Sequence, residues 1–509
     1  MNARAEVAEI ATAPRARNVE TRLNLAANYL NFIVAALAGL IINPLLLGAL
    51  GTSGFGIWKA SQRIVELVLS CDGGPPQALK WLVANCRGDG AEKRRLVGAA
   101  LRVWLHWLPP VVVLSAVLAW LLPPIIEDGD AGGAELTALC LILCASSILV
   151  GIAALPAAAL VGENKSWLAV SVTTASVILS STAVIAAAQA GLSLIGMAGA
   201  ALAVTLLQLV ATILAARWRL PWWGVAQSIS TEARHVARLG AATLVWSYVQ
   251  KLLLSSELLL VSVLVGAGAV SQYVFTGFAA QFVPQLILLT TSAFMPRLGR
   301  ALARGEGAEA ARLIRATGEI NFAIVALSGA AILAFNDAFV GRWAGEAQYL
   351  GSLVNALIVA SAIQIAHLRW HAQLQDAALA MRARSRLALV GSCAGIAMAT
   401  IVWWLSGSIA GMFAGLIAGR LFLSLRISRL SRRSIDASAW IMIGNKAKLT
   451  AVTLVAGLVA GEFLHAAPYY LALGAVVVPV LAAFSWWFIL SADTRVLVSE
   501  LFPFARSGG

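Results

Sequence analysis

Charged residues are scarce in this sequence, and their scarcity excludes an ordinary soluble domain. Aspartate, glutamate, lysine and arginine make up 12% of the chain, whereas soluble domains carry about a quarter. Apolar residues make up 60%, and they fall in successive runs of about 20, each long enough to cross a hydrocarbon core roughly 30 Å thick. The sequence therefore predicts an all-α polytopic membrane protein.

Cysteine is also scarce, and the five residues present are an odd number. Most of them lie in apolar runs, so they fit packing positions better than a disulfide framework. Residues 1–20 are polar and lack the apolar segment of a cleavable signal peptide. The first membrane span is therefore expected to act as the targeting element.

Acidic residues are fewer than basic ones, 24 against 37, and the formal net charge is +13. If the amino terminus is inside, nearly all basic residues, including Arg420, are assigned to inside segments. Arg342 falls in an outside loop, while Lys59, Arg63 and Lys251 lie within spans. This distribution follows the positive-inside rule. The charge therefore predicts cytoplasmic termini and contact with an anionic inner leaflet, and it does not indicate nucleic-acid binding.

A polar loop occurs twice in the chain. Arg87–Leu96 reads RGDGAEKRRL and Arg304–Leu313 reads RGEGAEAARL, at an offset of 217 residues, with seven of ten positions identical. Other loops coincide at the same offset, for example at Gly51 and Gly268. Self-similarity at a fixed offset predicts two similar halves. The loop is interpreted as a marker of the inner ends of spans two and eight, without a site of its own.

Six spans in each half, an even number, predict parallel halves related by a pseudo-two-fold axis along the membrane normal. A further pair brings the total to about 14 helices, or to twelve spans if that pair lies on the surface. The predicted segments are a cytoplasmic amino-terminal tail (1–23), a first six-helix bundle (24–216), a cytoplasmic connector (217–240), a second six-helix bundle (241–427), a basic cytoplasmic linker (428–448), an extra helix pair (449–490) and a cytoplasmic tail (491–509).

Three charged residues share one face of the second span. Lys59, Arg63 and Glu66 are spaced i, i+4 and i+7, and Arg63 lies roughly 13 Å along the helix from Phe55, near mid-membrane. A charge there costs roughly 2.5–3.5 kcal/mol on insertion scales, so it is expected to face a partner or a water-filled cavity. The strip is interpreted as a surface for an anionic group such as a phosphate. The alternative is an internal Arg63–Glu66 ion pair that locks helix packing. That pair would not include Lys59.

The second half also carries polar residues within spans. Lys251 and Glu257 lie in span seven on different faces, which argues against a mutual ion pair. Gln281 and Gln285 share a face of span eight, and their amides suit sugar hydroxyls or a neighbouring helix.

The first span is rich in asparagine, and Asn24, Asn28 and Asn31 share a face. These amides fit carbohydrate binding and helix packing equally well. No catalytic residue, metal or cofactor is predicted. The candidate substrate-binding residues are Lys59, Arg63, Glu66, Asn28, Asn31, Lys251, Glu257, Gln281 and Gln285.

His367 and His371 have the i, i+4 spacing of a metal-binding pair. They lie beside Arg369 at the inner end of span ten, and no third ligand is evident. An interfacial role is therefore predicted for them in place of a zinc site.

The asparagine-rich first span leads through Gly51–Trp58 (GTSGFGIW) into span two, which breaks at Asp72–Gly73 before the basic loop. With two six-helix halves and an extra pair, this pattern resembles the multidrug/oligosaccharidyl-lipid/polysaccharide exporter superfamily, and its polysaccharide branch in particular. The resemblance covers about residues 20–490. Lipid II flippases of that superfamily place arginines in the first span. This chain has only Arg22 at its edge, which disfavours lipid II as the substrate.

The resemblance implies two helical bundles that rock around a cavity between inward-open and outward-open states. It implies a transporter, not an enzyme, that flips a lipid-diphosphate-linked oligosaccharide across the bacterial inner membrane for cell-surface polysaccharide synthesis. Lys59 and Arg63 would meet the diphosphate, and asparagine and glutamine side chains would meet the sugars. The implied partners are a polyprenyl-diphosphate-linked sugar, membrane lipids, a polysaccharide polymerase and glycosyltransferases.

Two alternatives remain open. A cation-coupled multidrug exporter of the same fold would need a membrane-embedded carboxylate, for which Glu66 and Glu257 are the candidates, and a coupling cation. A membrane glycosyltransferase or polymerase would need a catalytic loop on the outside. Glu127–Asp130 is the one acidic candidate there, and it is interpreted as a solvated turn.

Overall fold

The computed structural model describes residues 2–69, 74–86, 89–126, 133–378, 381–434, 438–464 and 469–501. All regular elements within these ranges are helical, which confirms the all-α prediction. The Asp72–Gly73 break, the Arg87–Gly88 pair and the acidic turn Glu127–Asp130 lie outside the described residues. The chain divides into two compact units, 1–255 and 256–509.

The first unit is built from seven complete helices and most of an eighth. They are α1 (Asn2–Val68), α2 (Gly74–Asn85), α3 (Gly90–Leu121), α4 (Pro123–Ile126), α5 (Gly133–Gly162), α6 (Ser166–Gln189), α7 (Leu194–Arg219) and α8 (Ser230–Leu264), and the division between units falls within α8. Helix α5 packs against α7, and α6 packs against α1 and α7.

The second unit holds the remaining helices. They are α9 (Ala267–Thr276), α10 (Phe282–Ser292), α11 (Met295–Ala303), α12 (Gly307–Trp343), α13 (Ser352–Ala377), α14 (Met381–Ser406), α15 (Ile409–Ser434), α16 (Ser438–Leu464), α17 (Tyr470–Phe484) and α18 (Ala492–Leu501). Helix α15 packs against α13 and α14, and α12 packs against α13 and α16.

Ten helices of the described chain are long and apolar enough to cross a membrane. A pair near the carboxyl end, bent by 118° between Ile489 and Ala492, raises the number to eleven. The predicted number of transmembrane helices, about 14, is higher than this count in part because α1 contains both of the first two predicted spans in one element. In addition, turns at 277–281 divide the eighth predicted span into α9 and α10.

Helix α1 is interrupted at Gly51, where the two predicted spans meet. Gly51 has φ 67° and ψ −179°, a conformation that favours glycine because it has no Cβ. No atom lies within 4 Å of the position that a Cβ would take, so backbone conformation alone requires glycine here. The helix resumes at once, so the interruption between the first two predicted spans is confined to one residue.

The two copies of the repeated loop contain the starts of equivalent helices. Helix α3 begins at Gly90 and α12 begins at Gly307, which is the offset that the repeat predicts. Asp89 caps α3, because its Oδ1 accepts hydrogen bonds from the N–H groups of Ala91 and Glu92, both at 3.1 Å.

Small residues allow close helix packing in the second unit. A Cβ added to Gly419 of α15 would lie 2.6 Å from the carbonyl oxygen of Ala394 on α14, and one on Gly415 would lie 2.6 Å from that of Met398. Backbones approach this closely in membranes where small residues recur every four positions. Helix α16 uses the same device, because a Cβ on Gly461 would lie 2.4 Å from the carbonyl oxygen of Leu333 on α12.

Gly419→Ala is expected to destabilise the protein by about 1–3 kcal/mol, because the added methyl group forces α14 and α15 apart. Gly199→Ala is the matched control, since no atom lies within 4 Å of its Cβ position on α7. That change is expected to be neutral or to stabilise by up to about 1 kcal/mol through helix propensity. Thermal unfolding of the purified protein in detergent measures both. Equal Tm values for the two variants would contradict close packing at Gly419.

Candidate functional site

Lys59, Arg63 and Glu66 lie on the part of α1 that follows Gly51, on one continuous helix face as predicted. The Arg63 Nη1 atom donates to Glu66 Oε2 at 3.1 Å, so the internal ion pair forms. Both members remain accessible, with side-chain exposures of 36% and 53%. The pair is therefore not buried by helix packing.

Lys59 takes no part in this ion pair. Its ammonium lies 5.4 Å from the centre of the Phe55 ring, and its side chain is half-buried beside the fully buried Trp58. Among the described residues, Lys59 has no carboxylate within ion-pair distance. A cation–π contact of this kind contributes about 0.5–2 kcal/mol and leaves the positive charge in place.

The asparagines of the first span contact α6 and the loop before it. Asn24 Nδ2 donates to Asn164 at 3.0 Å, and its Oδ1 accepts from the backbone N–H of Trp167 at 2.8 Å. Asn31 Oδ1 accepts from the Thr174 hydroxyl at 2.9 Å, and Asn28 donates to the carbonyl of Asn24 at 2.7 Å. Helix packing accounts for the contacts of Asn24 and Asn31.

Glu257 of α8 is buried, and it accepts hydrogen bonds from two hydroxyl groups. Tyr273 donates to Oε2 at 2.8 Å, and Ser361 of α13 donates to Oε1 at 2.5 Å. The Arg420 guanidinium of α15 lies 3.5 Å from the same Oε1. A buried charge is stable only when it is paired and hydrogen-bonded, and Glu257 meets both conditions.

Arg420 is fully buried and lies within the candidate span Ile409–Arg432, so the assignment of this residue to an inside segment was wrong. Its Nη1 donates to Ser361 Oγ at 3.1 Å and its Nη2 donates to Ser256 Oγ at 2.5 Å. The aliphatic part of the Arg420 side chain fits beside Gly395 because glycine has no Cβ. A Cβ at that position would lie only 2.9 Å from Arg420 Cγ. We call Glu257, Arg420, Ser256, Ser361 and Tyr273 the Glu257–Arg420 network.

The sequence carried a signal for Arg420. It lies roughly 16 Å along α15 from the start of that helix, inside the twelfth predicted span, as Arg63 lies inside the second. The reasoning applied to Arg63 would have marked it as a buried or cavity-facing charge. Its partner Glu257 is 163 residues away, and no local spacing reveals such a pair.

Three other candidates have less defined surroundings. Lys251 of α8 is half-buried. Gln281 and Gln285 are exposed at the start of α10, beside the turns at 277–281. Among the described residues, the one hydrogen bond from these two amides runs from Gln285 Nε2 to the Gln281 carbonyl, at 3.5 Å. Interrupted membrane helices recur at transporter binding sites, because their ends carry unpaired backbone groups.

His367 and His371 lie between α13 and α15 near the end of α13. His371 is 1% exposed, and its Nδ1 lies 3.0 Å from Ser431 Oγ of α15. His367 Nε2 lies 2.8 Å from Ser428 Oγ on the same helix. The histidines therefore join α13 to α15, and the described chain has no cluster of three or more metal-binding side chains.

Arg420→Met is expected to destabilise the protein by about 3–5 kcal/mol, because Glu257 loses its charge partner in a buried site. The double variant Glu257→Gln/Arg420→Met removes both charges and is expected to recover most of that loss. Thermal unfolding of wild type, both single variants and the double variant measures the coupling. Additive effects of the two single changes would show that the residues do not act as a pair.

No known protein family profile matches this chain, and no curated protein sequence matches it. Solved structures do match. The inward closed conformation of the lipid II flippase MurJ aligns with a TM-score of 0.65 and 12% identity, over 94% of this chain and 99% of MurJ. The eukaryotic MATE transporter AtDTX14 aligns with a TM-score of 0.61 and 13% identity, over 87% of this chain and 99% of its own.

A variant of VcmN, a MATE transporter of Vibrio cholerae, aligns with a TM-score of 0.56 and 16% identity, over 82% of this chain and 98% of VcmN. At these identities the likeness shows the fold alone. Flippase and multidrug transporters both match, so the likeness does not choose between their substrates. This chain is a multi-pass membrane protein with the fold seen in MurJ and in the MATE transporters.

Proposed function

We propose that this protein flips a lipid-diphosphate-linked oligosaccharide across a bacterial cytoplasmic membrane by alternating access, with both termini in the cytoplasm. The transported molecule would serve cell-surface polysaccharide synthesis. One observation carries the proposal: Lys59, inside a candidate membrane span, has no carboxylate partner in the described chain. Because Arg63 and Glu66 neutralise each other, the positive charge of Lys59 remains on this face of the span. A positive site suits an anionic headgroup.

The carboxylates that a cation-coupled exporter would need are already engaged. Glu66 is paired with Arg63, and Glu257 lies beside Arg420. Glu319 of α12 is buried as well. It accepts hydrogen bonds from the Ser491 N–H at 2.8 Å and the Thr494 hydroxyl at 2.6 Å, at the start of α18. Glu257 and Glu319 therefore join neighbouring helices, whereas Glu66 is engaged within α1.

The exposure of Arg63 and Glu66 supports a water-filled surface on α1. A charged pair that faced hydrocarbon near mid-span would be costly, whereas the same pair in a polar cavity keeps its hydration. Arginine and lysine bind phosphate oxygens through charge-assisted hydrogen bonds, and the planar guanidinium does so with two parallel donors. Lys59 and Arg63 would hold the diphosphate, with Glu66 positioning Arg63.

Other parts of the substrate need different surroundings. Sugar hydroxyl groups pair with amides, and Gln281 and Gln285 present two exposed amides at the interruption before α10. The polyprenyl tail needs the apolar helix surfaces that the spans provide. Alternating access follows if the bound headgroup has different affinities for the inward-open and outward-open states.

A cation-coupled multidrug exporter is the second candidate, because the fold matches such transporters as well. Glu257 is the residue that favours it, since it is a buried carboxylate inside a candidate span. A coupling cation there would have to compete with the Arg420 guanidinium.

Lys59→Ala and Arg63→Ala are each expected to reduce flipping at least tenfold, because each removes a charge-assisted contact to the phosphate. The measurement uses proteoliposomes that carry a fluorescent polyprenyl-diphosphate oligosaccharide and follows its exposure to an added glycosidase. Lys59→Arg keeps the charge and is the matched control, expected to retain most of the rate. If both alanine variants insert normally into the membrane and flip the substrate at the wild-type rate, the proposal of a cationic binding site is wrong.

The exporter alternative is tested on the wild-type protein. Proteoliposomes loaded with a cationic dye are given a sodium gradient or a pH gradient, and dye export is followed. We expect no export dependent on either gradient, because Glu66, Glu257 and Glu319 already have internal partners. Gradient-driven export, with no flipping of the polyprenyl substrate, would establish the exporter function. A characterised MATE transporter in the same vesicles serves as the positive control.

A further inference from the structure

The two copies of the repeated loop have different surroundings. In the first copy, the loop after α5 and the connector after α7 together engage the basic residues. Lys93 Nζ is 2.6 Å from Glu163 Oε1, Arg94 Nε donates to the Trp222 carbonyl at 3.0 Å, and Arg95 Nε is 3.1 Å from Glu232 Oε1. A Cβ on Gly90 would lie 2.7 Å from the Trp222 Cβ, so the connector lies directly on this copy.

The second copy borders an open cavity. The cavity has a volume of about 320 Å³ and is lined by Arg297, Arg300, Ala301, Arg304, Glu306 and Glu309. Its size lies at the lower end of the range of small-ligand sites. No part of the described chain fills it.

The charge of the cavity is positive, with three arginines against two glutamates. Glu309 is already shared, because it pairs with Arg297 at 2.7 Å and with Arg312 at 3.6 Å. Arg304 is 70% exposed and lies 3.7 Å from Glu306. Among the described residues, Arg300 has no carboxylate partner, and its Nε donates to the Pro296 carbonyl of its own helix at 3.3 Å.

The arginines are placed by a short amphipathic helix. On α11, Leu298 is fully buried and Ala301 nearly so, whereas Arg297 and Arg300 are exposed. Arg304 follows directly after the helix, so the three arginines share a spacing of i, i+3 and i+7. An arrangement of this kind presents guanidinium groups at the level of phospholipid headgroups.

We propose that the cavity between α11 and the start of α12 binds a phosphate-bearing anion through Arg297, Arg300 and Arg304. Two sources share this chemistry, the headgroup of an anionic phospholipid of the inner leaflet and free phosphate. This site is separate from Lys59, Arg63 and Glu66 of α1. The proposal does not depend on whether the protein flips a sugar lipid. The first copy needs no such ligand, because Glu163, Glu232 and the Trp222 carbonyl already engage its basic residues.

Binding of short-chain phosphatidylglycerol and of inorganic phosphate to the purified full-length protein tests the site by titration calorimetry. Arg300→Gln/Arg304→Gln is expected to weaken binding about tenfold or more, since each basic residue near a membrane surface contributes about 1 kcal/mol. Arg102→Gln/Arg217→Gln is the matched control, because it removes the same charge from two exposed arginines of the first unit. It is expected to bind like wild type.

If Arg300→Gln/Arg304→Gln loses binding of phosphatidylglycerol but not of phosphate, the ligand is the lipid. If the variant loses binding of both probes, the site accepts free phosphate as well. Equal affinities of wild type and Arg300→Gln/Arg304→Gln for both probes overturn the proposal.

A second measurement uses only wild-type protein, so it does not depend on the folding of a variant. Photoactivatable phosphatidylglycerol in nanodiscs should label residues 295–309 in preference to other basic loops. If the label falls elsewhere and spares this segment, the lipid source is excluded, and free phosphate is then decided by the titration.

Discussion

A charge inside a membrane helix must be paired or must face water, and this constraint shapes the interior of the protein. The Glu257–Arg420 network satisfies it by burial, with a carboxylate, a guanidinium and three hydroxyl groups on neighbouring helices. Lys59 and the Arg63–Glu66 pair satisfy it differently, because they remain partly accessible on α1. Buried networks of this kind fix helix positions, whereas accessible charges are available to a ligand.

This difference bears on transport. A neutral buried pair adds little attraction for a passing ion, since each charge already has its partner. In the proposed function, an accessible cation on α1 would attract a phosphate and would lose hydration only when the phosphate arrives. The same fold hosts lipid flippase and multidrug transporters, so the placement of charge on it, and not the fold, decides which substrate binds.

The repeated loop shows how two similar segments acquire different surroundings. Each copy contains the start of a long helix, but Asp89 caps α3 whereas Glu306 makes no side-chain cap to α12. The connector covers the first copy, and Glu163, Glu232 and the Trp222 carbonyl engage its basic residues. In the second copy the arginines border an open cavity. A loop that marked topology in the sequence is therefore, in its second copy, also a candidate ligand site.

The sequence by itself determined the helical class, the position of Gly51 and the two helix starts at Gly90 and Gly307, because apolar runs, glycine and local repeats act over short distances. Only the tertiary structure decided which polar residues meet. Asn31 bonds Thr174 across 143 residues, and Glu257 meets Arg420 across 163. Such pairs depend on how helices cross and on their register, which close packing sets and periodicity does not encode.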